Sequence, residues 1–106
     1  MPKSLSVAAL TVLHTVASGT GHGFDIIDET GLPGGTVYPA LRRLEDAGYL
    51  TSKWEKERVA QAELRPRRKY YEMTRAGRDM LAEAGKRYRL LEQSPLKLRE
   101  PKTSRA

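Results

Sequence analysis

The chain has 106 residues, a formal net charge of +6 and no cysteine. That length makes one small domain the default. The missing thiols exclude disulfides, cysteine nucleophiles and sulfur-ligated zinc or iron–sulfur sites, and no apolar run approaches the roughly 20 residues needed to span a bilayer.

Residues 4–17 repeat at helical spacing, with Leu5, Ala8, Ala9, Val12, Leu13 and Val16 on one face. A second, narrower stripe of Val7, Leu10, His14 and Ala17 lies opposite. A helix in so small a domain rarely buries both sides alone, so Val7, Leu10 and His14 are candidates for contact with a second copy of the chain. His14 and several threonines, with no Ala-x-Ala site after them, argue against a secretory leader and for a cytoplasmic location.

Ser18-Gly19-Thr20-Gly21 ends the first helix. A short helix over residues 22–30 follows, with Phe24 and Ile27 expected inward and Asp25, Asp28 and Glu29 outward as solvated acids rather than metal ligands. The Gly31-to-Gly35 turn then leads into residues 34–50. There Thr36 is the expected N-cap, Pro39 the third helical position and Gly48 the left-handed stop. Val37, Ala40, Leu41, Leu44 and Ala47 form the apolar back, and Tyr38, Pro39, Arg42, Arg43 and Asp46 the front. Two helices joined by a glycine-containing turn, the second presenting arginines, make a helix-turn-helix.

After Gly48 the period becomes 2. Leu50, Ser52 and Trp54 share one side of a strand, residues 69–73 read as its antiparallel return, and residues 56–68 read as a loop ending in Arg65-Pro66-Arg67-Arg68. A hairpin with a cationic tip directly after a helix-turn-helix is a wing. Thr74 is expected to cap a last helix reaching about residue 93, on which Leu81, Ala84, Tyr88 and Leu91 keep a/d spacing and form a candidate dimer seam. Residues 94–106 carry Pro95, Pro101 and four cations without periodicity and read as a disordered basic tail.

Charge follows the same division. Residues 1–64 hold 6 Lys/Arg against 8 Asp/Glu, and residues 65–106 hold 13 against 5. Cations gathered in one half are the footprint of a polyanion binder. Thr36, Tyr38 and Pro39 at the helix start, Arg42 and Arg43 behind them, and Arg65, Arg67, Arg68 and Lys69 in the wing are the candidate DNA-contacting residues. One of Arg42 and Arg43 can fork onto guanine while the other holds a phosphate, since they diverge by about 100°. For catalysis the inventory is poor: His14 and His22 have no nucleophile in a recognisable motif, Gly19-x-Gly21-x-Gly23 lacks the strand and spacing of a dinucleotide site, and neither cofactor nor metal is expected.

These residues carry a family resemblance. Gly35-Thr36-Val37-Tyr38-Pro39-Ala40-Leu41-Arg42-Arg43-Leu44-Glu45, with Gly48-Tyr49-Leu50, resembles the recognition-helix signature of the PadR family of bacterial transcriptional regulators. His22-Gly23-Phe24 is similar to that family's second-helix entry. Trp54-Glu55, then residues 67–74 with Gly77, are similar to its wing and the start of its last helix. Phe24 stands where the family usually has Tyr, Pro33-Gly34 where a Ser-containing turn is usual, and Arg65-Pro66 where the wing commonly has Gly. The resemblance implies a mainly α fold with a small β-hairpin, a winged helix-turn-helix (residues 4–73) plus a C-terminal dimerisation helix (74–93). It implies a homodimer, usually a repressor of a palindromic operator, and a small aromatic effector, for which Tyr88 and Trp54 are the candidate residues. A winged-helix protein-interaction module or nonspecific nucleic-acid binder is the competing reading.

Overall fold

Helix α1 (Val7–Ala17) is set by its apolar stripe and by Ser6, whose hydroxyl accepts the Ala9 N–H at 3.1 Å. The helix therefore starts later than the periodicity indicates, but the expected stripe is the buried one: Ala9, Val12, Leu13 and Val16 are core. The computed structural model describes residues 5–92, and side chains as far as residue 87. The expected basic tail over 94–106 lies outside the described residues, as do the side chains of Tyr88 and Leu91.

Helix α2 (Gly23–Thr30) ends on Gly31 at φ 74°, in the left-handed region. Its inward residue is Ile26, fully buried, with Ile27 half-buried, whereas Phe24 is 65% exposed. The expectation that Phe24 faces the core fails on helix geometry. At about 100° per residue, Gly23, Ile26, Ile27 and Thr30 share an arc, and Phe24 lies roughly 100° from its centre.

Helix α3 (Gly34–Asp46) begins three residues earlier than expected, on Pro33 as N-cap, so Thr36 is a first-turn residue and no cap. The Thr36 and Val37 N–H groups both bond the Pro33 carbonyl, at 2.9 and 3.0 Å. Pro39 consequently sits inside the helix, where its ring faces the residue four positions back. That residue is Gly35, around which a side chain would meet nothing within 4 Å. Val37, Ala40, Leu41 and Leu44 pack onto α1, while Ala47, expected in the apolar back, is the exposed C-cap. Gly48 takes φ 86° and turns the chain as expected.

Strands β1 (Leu50–Trp54) and β2 (Lys69–Met73) pair antiparallel, Leu50 opposite Met73 and Trp54 opposite Lys69. Of the side expected to be shared by Leu50, Ser52 and Trp54, only Leu50 is buried and Trp54 is 55% exposed, because the ribbon runs outward past the edge of the core. The connecting segment is not all loop. Residues Glu57–Ala62 form helix α4, anchored by buried Ala60. Glu-Arg-Val-Ala-Gln-Ala contains no breaker and mostly good helix formers, a signal outweighed in the sequence by the Arg-Pro that follows.

One carboxylate closes this wing. Glu55, 8% exposed, accepts a fork from Arg65 at 2.7 and 2.9 Å and the Arg68 N–H at 3.2 Å. The Arg65 hydrogen bonds hold the Glu55 carboxyl at about 2, below the ordinary carboxylate value. Helix α5 (Arg75–Glu92) starts where Thr74 accepts the Gly77 N–H at 3.0 Å and donates to the Gly48 carbonyl at 2.6 Å, joining the end of α3 to the start of α5.

Two outcomes test this packing. A Cβ at Gly77 would strike the Tyr49 carbonyl oxygen, so Gly77→Ala is expected to lower unfolding free energy by about 1–3 kcal/mol, whereas Gly35→Ala, into open space, is expected to raise it by up to about 1 kcal/mol; urea titration reads both. Glu55 has a depressed carboxyl pKa in the fold, so its contribution is complete above its unfolded value of about 4.3 and disappears as pH falls toward about 2. The protection of amides across β1, α4 and β2, relative to their intrinsic exchange rates, is expected to be constant from neutrality to about pH 4.5 and to fall below it. In Glu55→Gln the same amides are expected to exchange faster already at neutral pH.

Candidate nucleic-acid interface

The buried back of α3 leaves Tyr38, Pro39, Arg42 and Arg43 exposed along its first three turns. Arg42 and Arg43 have no carboxylate partner among the described residues, so both guanidinium groups stand ready for an anion. Tyr38 is held differently. Its ring lies against α2 at Gly23, where a Cβ would come within 2.7 Å of Cε1 and 2.8 Å of the hydroxyl. Glycine at 23 is therefore what lets the phenol lie flat across the gap between the two helices, 45% exposed. Thr36, in the first turn, is half-buried.

The wing meets this helix through Glu45. Ser52 donates to one Glu45 oxygen at 2.6 Å, and Lys69 Nζ stands 3.9 Å from the other. Its cations divide into two kinds. Arg65 is committed to Glu55 and, at 3.3 Å, to Glu63, so it shapes the wing. Arg67 uses only Nε, bonded to the Glu55 carbonyl at 3.0 Å, and its guanidinium lies 5.7 Å from the Trp54 ring. Lys69 sits 5.7 Å from the Trp54 and Tyr71 rings. Arg68 is half-buried, and its side chain makes no hydrogen bond among the described residues.

Between α3, the start of α2 and the wing lies a cleft of about 470 Å³ lined by Tyr38, Phe24, Trp54 and the cations of residues 65–69. Trp54, one of the two residues expected to hold an effector, belongs to this cationic front. Phe24, expected in the core, also belongs to it; the angular count on an eight-residue helix is the sequence signal that places it there. Tyr71 stands at the back of the cleft, where burial, aided by the Glu45 carboxylate and Tyr38, pushes its phenol pKa upward and keeps the hydroxyl protonated at neutral pH. Donors, cations and flat apolar rings on one surface fit phosphates, sugars and base edges.

A second surface is apolar. Val7, Leu10 and His14 on α1 and Leu81 and Ala84 on α5, all expected at a dimer seam, line one groove of about 570 Å³, and Val7 is 70% exposed. Among the described residues no helix is long and apolar enough to cross a membrane, and no group of three or more His, Cys, Asp or Glu is placed to hold a metal ion.

Comparison with known proteins agrees with this arrangement. No curated protein sequence matches the chain. The fold is shared with a PadR family transcription regulator from hypervirulent Clostridium difficile R20291, at 24% identity and TM-score 0.73, over 83% of this chain and 93% of that one. It is shared with smu.1704 from Streptococcus mutans UA159, at 24% identity and TM-score 0.70, over 94% and 99% of the two chains. Bordetella bronchiseptica BpsR, whose DNA binding is regulated by 6-hydroxynicotinic acid, aligns at 21% identity and TM-score 0.70, over 95% of this chain and 73% of its own. The sequence model of the Transcriptional regulator PadR-like family matches residues 12–83, a span that runs from the middle of α1, through α3 and the wing, into α5. The chain therefore belongs to the PadR-like family of transcriptional regulators, which are not enzymes.

Proposed function

We propose that this regulator is a homodimeric repressor that binds a roughly palindromic operator and is released by a small molecule. The observation that carries the DNA reading is the continuous front made by unpaired Arg42 and Arg43, Tyr38, and the wing cations Arg67, Arg68 and Lys69. In this reading α3 enters the major groove, one of its arginines forks onto guanine O6 and N7, and the wing follows the neighbouring backbone. Residues 4–73 are the DNA-binding unit and 74–93 the dimerisation helix. The groove shared by α1 and α5 supports the dimer, since one apolar surface presented by two long elements suits an isologous contact with its twin. Release by an effector is supported by BpsR, which answers to 6-hydroxynicotinic acid.

Selection from random duplexes is expected to return two half-sites about 10–10.5 base pairs apart or a multiple of that. On the selected duplex, log K against log salt is expected to fall with a slope steeper than about −4, and Lys69→Ala to flatten it by about 1. Arg42→Ala and Tyr38→Phe are each expected to weaken operator binding by about 1–3 kcal/mol with folding intact. Leu10→Glu is expected to yield monomers by sedimentation and to lose dyad binding. A flat salt plot, or unchanged operator affinity in both α3 variants, would remove this front from the interface.

A further inference from the structure

A second cleft, of about 920 Å³, lies beside the first and has the opposite charge. The end of α1, the α2 helix, strand β2 and the start of α5 enclose it. Asp25, Asp28, Glu29 and Glu72 line it against a single cation, Arg78. In a chain of net charge +6, four carboxylates around one hollow are a local reversal. Asp28 and Glu72 have no ion-pair partner among the described residues, and Glu29 takes only the Thr20 hydroxyl, at 2.8 Å. Val16 and Met73 supply an apolar wall, and Tyr70 and Tyr71 supply rings.

His22 gives the hollow a more specific feature. Its side chain is 7% exposed, it lines the cleft, and its Nδ1 is buried with no hydrogen-bond partner. Asp25 Oδ2 stands 3.6 Å from that nitrogen, too far for a hydrogen bond. With the proton on Nε2, Nδ1 and the carboxylate are two acceptors side by side, and an –NH₃⁺ group carries three donors. We propose that this cleft is a binding site for a small primary amine with an aromatic or apolar body, its ammonium held by the carboxylates and His22 and its body against the tyrosines.

The site deepens the repressor reading because His22 and Tyr71 also line the cationic cleft on the DNA-facing side. The rings of Phe24 and Tyr70 flank His22, with centroids at 5.8 and 5.6 Å. An amine seated on one side of this shared wall shifts residues that support Phe24 and the wing on the other. Binding of the amine stands independently of DNA binding; its effect on DNA rests on it.

The test is calorimetry and amide chemical-shift mapping on the full chain with phenethylammonium, the neutral 3-phenylpropanol and the anionic 3-phenylpropanoate. The ammonium is expected to bind at least about tenfold more tightly than either analogue, a difference of about 1.4 kcal/mol, and to shift amides of α2 and β2. The double substitution Asp28→Asn with Glu72→Gln, at exposed positions that leave the fold intact, is expected to remove at least tenfold of that affinity. His22→Phe, which keeps a ring between Phe24 and Tyr70, is expected to weaken phenethylammonium but not its trimethylated analogue, which has no N–H to donate. Equal binding of the three probes, no binding of the ammonium at about 10 mM, or unchanged affinity in the double variant overturns the site. Duplex affinity unchanged at saturating amine overturns the coupling. Failure of the DNA reading is distinct: it appears as absent duplex binding with no amine present.

Discussion

The geometry of the cationic front depends on one backbone hydrogen bond. The Tyr71 N–H donates to the Gly21 carbonyl at 2.7 Å, next to a bridge between His22 and Tyr70. Two strands alone are marginal in water. Here the hairpin gains a third segment just before α2, so the wing is fixed to the same element that carries α2 into the turn before α3. No side chain fits at Gly21, whose Cβ would stand 2.7 Å from the Tyr71 carbonyl oxygen. Remove that close approach and the wing cations lose their fixed position beside the arginines of α3.

Two acids then decide which cations are structural and which remain for an anion. Glu55 and its neighbours absorb Arg65 completely and one nitrogen of Arg67. Glu45, on α3, aligns the wing through Ser52 and, more loosely, Lys69. The Arg65 fork is short and nearly buried, whereas the Lys69 contact at 3.9 Å is half-exposed and of little energy. A polyanion approaching this face can therefore take Lys69 from Glu45 easily and cannot take Arg65 from Glu55. The wing keeps its shape while offering charge.

Much of this was legible in the sequence, for reasons that differ by element. The buried face of α1, the back of α3 through Leu44 and the Thr74 cap follow from spacing and local hydrogen bonding, which act within a few residues. The wing was legible as a change of period after Gly48. Some features were hidden where a tertiary contact or a weaker local signal prevailed. Thr36 looked like a cap because hydroxyls cap helices, but the Pro33 carbonyl accepts the Thr36 and Val37 N–H groups and so starts the helix before Thr36. Phe24 looked like core because it is Phe, yet Gly23 took the inward place to receive Tyr38. Arg65 read as one cation among four, because its partner lies ten positions back across a helix that the Arg-Pro obscured. Of these, the Arg65–Glu55 pair leaves no pattern in adjacent residues.

The departures in α3 also bear on how that helix is held. Gly34, Gly35 and Pro39 fall within its first six residues, and each disfavours helix, by about 1 kcal/mol for each glycine and about 3 kcal/mol for an interior proline. Val37 and Leu41, fully buried, offset that loss from the back, so the first turns are held by packing more than by their own propensity. Tyr38, at the centre of the exposed front, thus stands on the half of the helix with the least local stability. A partner that engages Tyr38 and Arg42 adds contacts where the backbone has fewest of its own, and order gained there opposes affinity in proportion to the freedom lost. Gly35 carries part of that freedom, and a side chain there would enter open space, so it would stiffen the turn without touching the buried back that holds it.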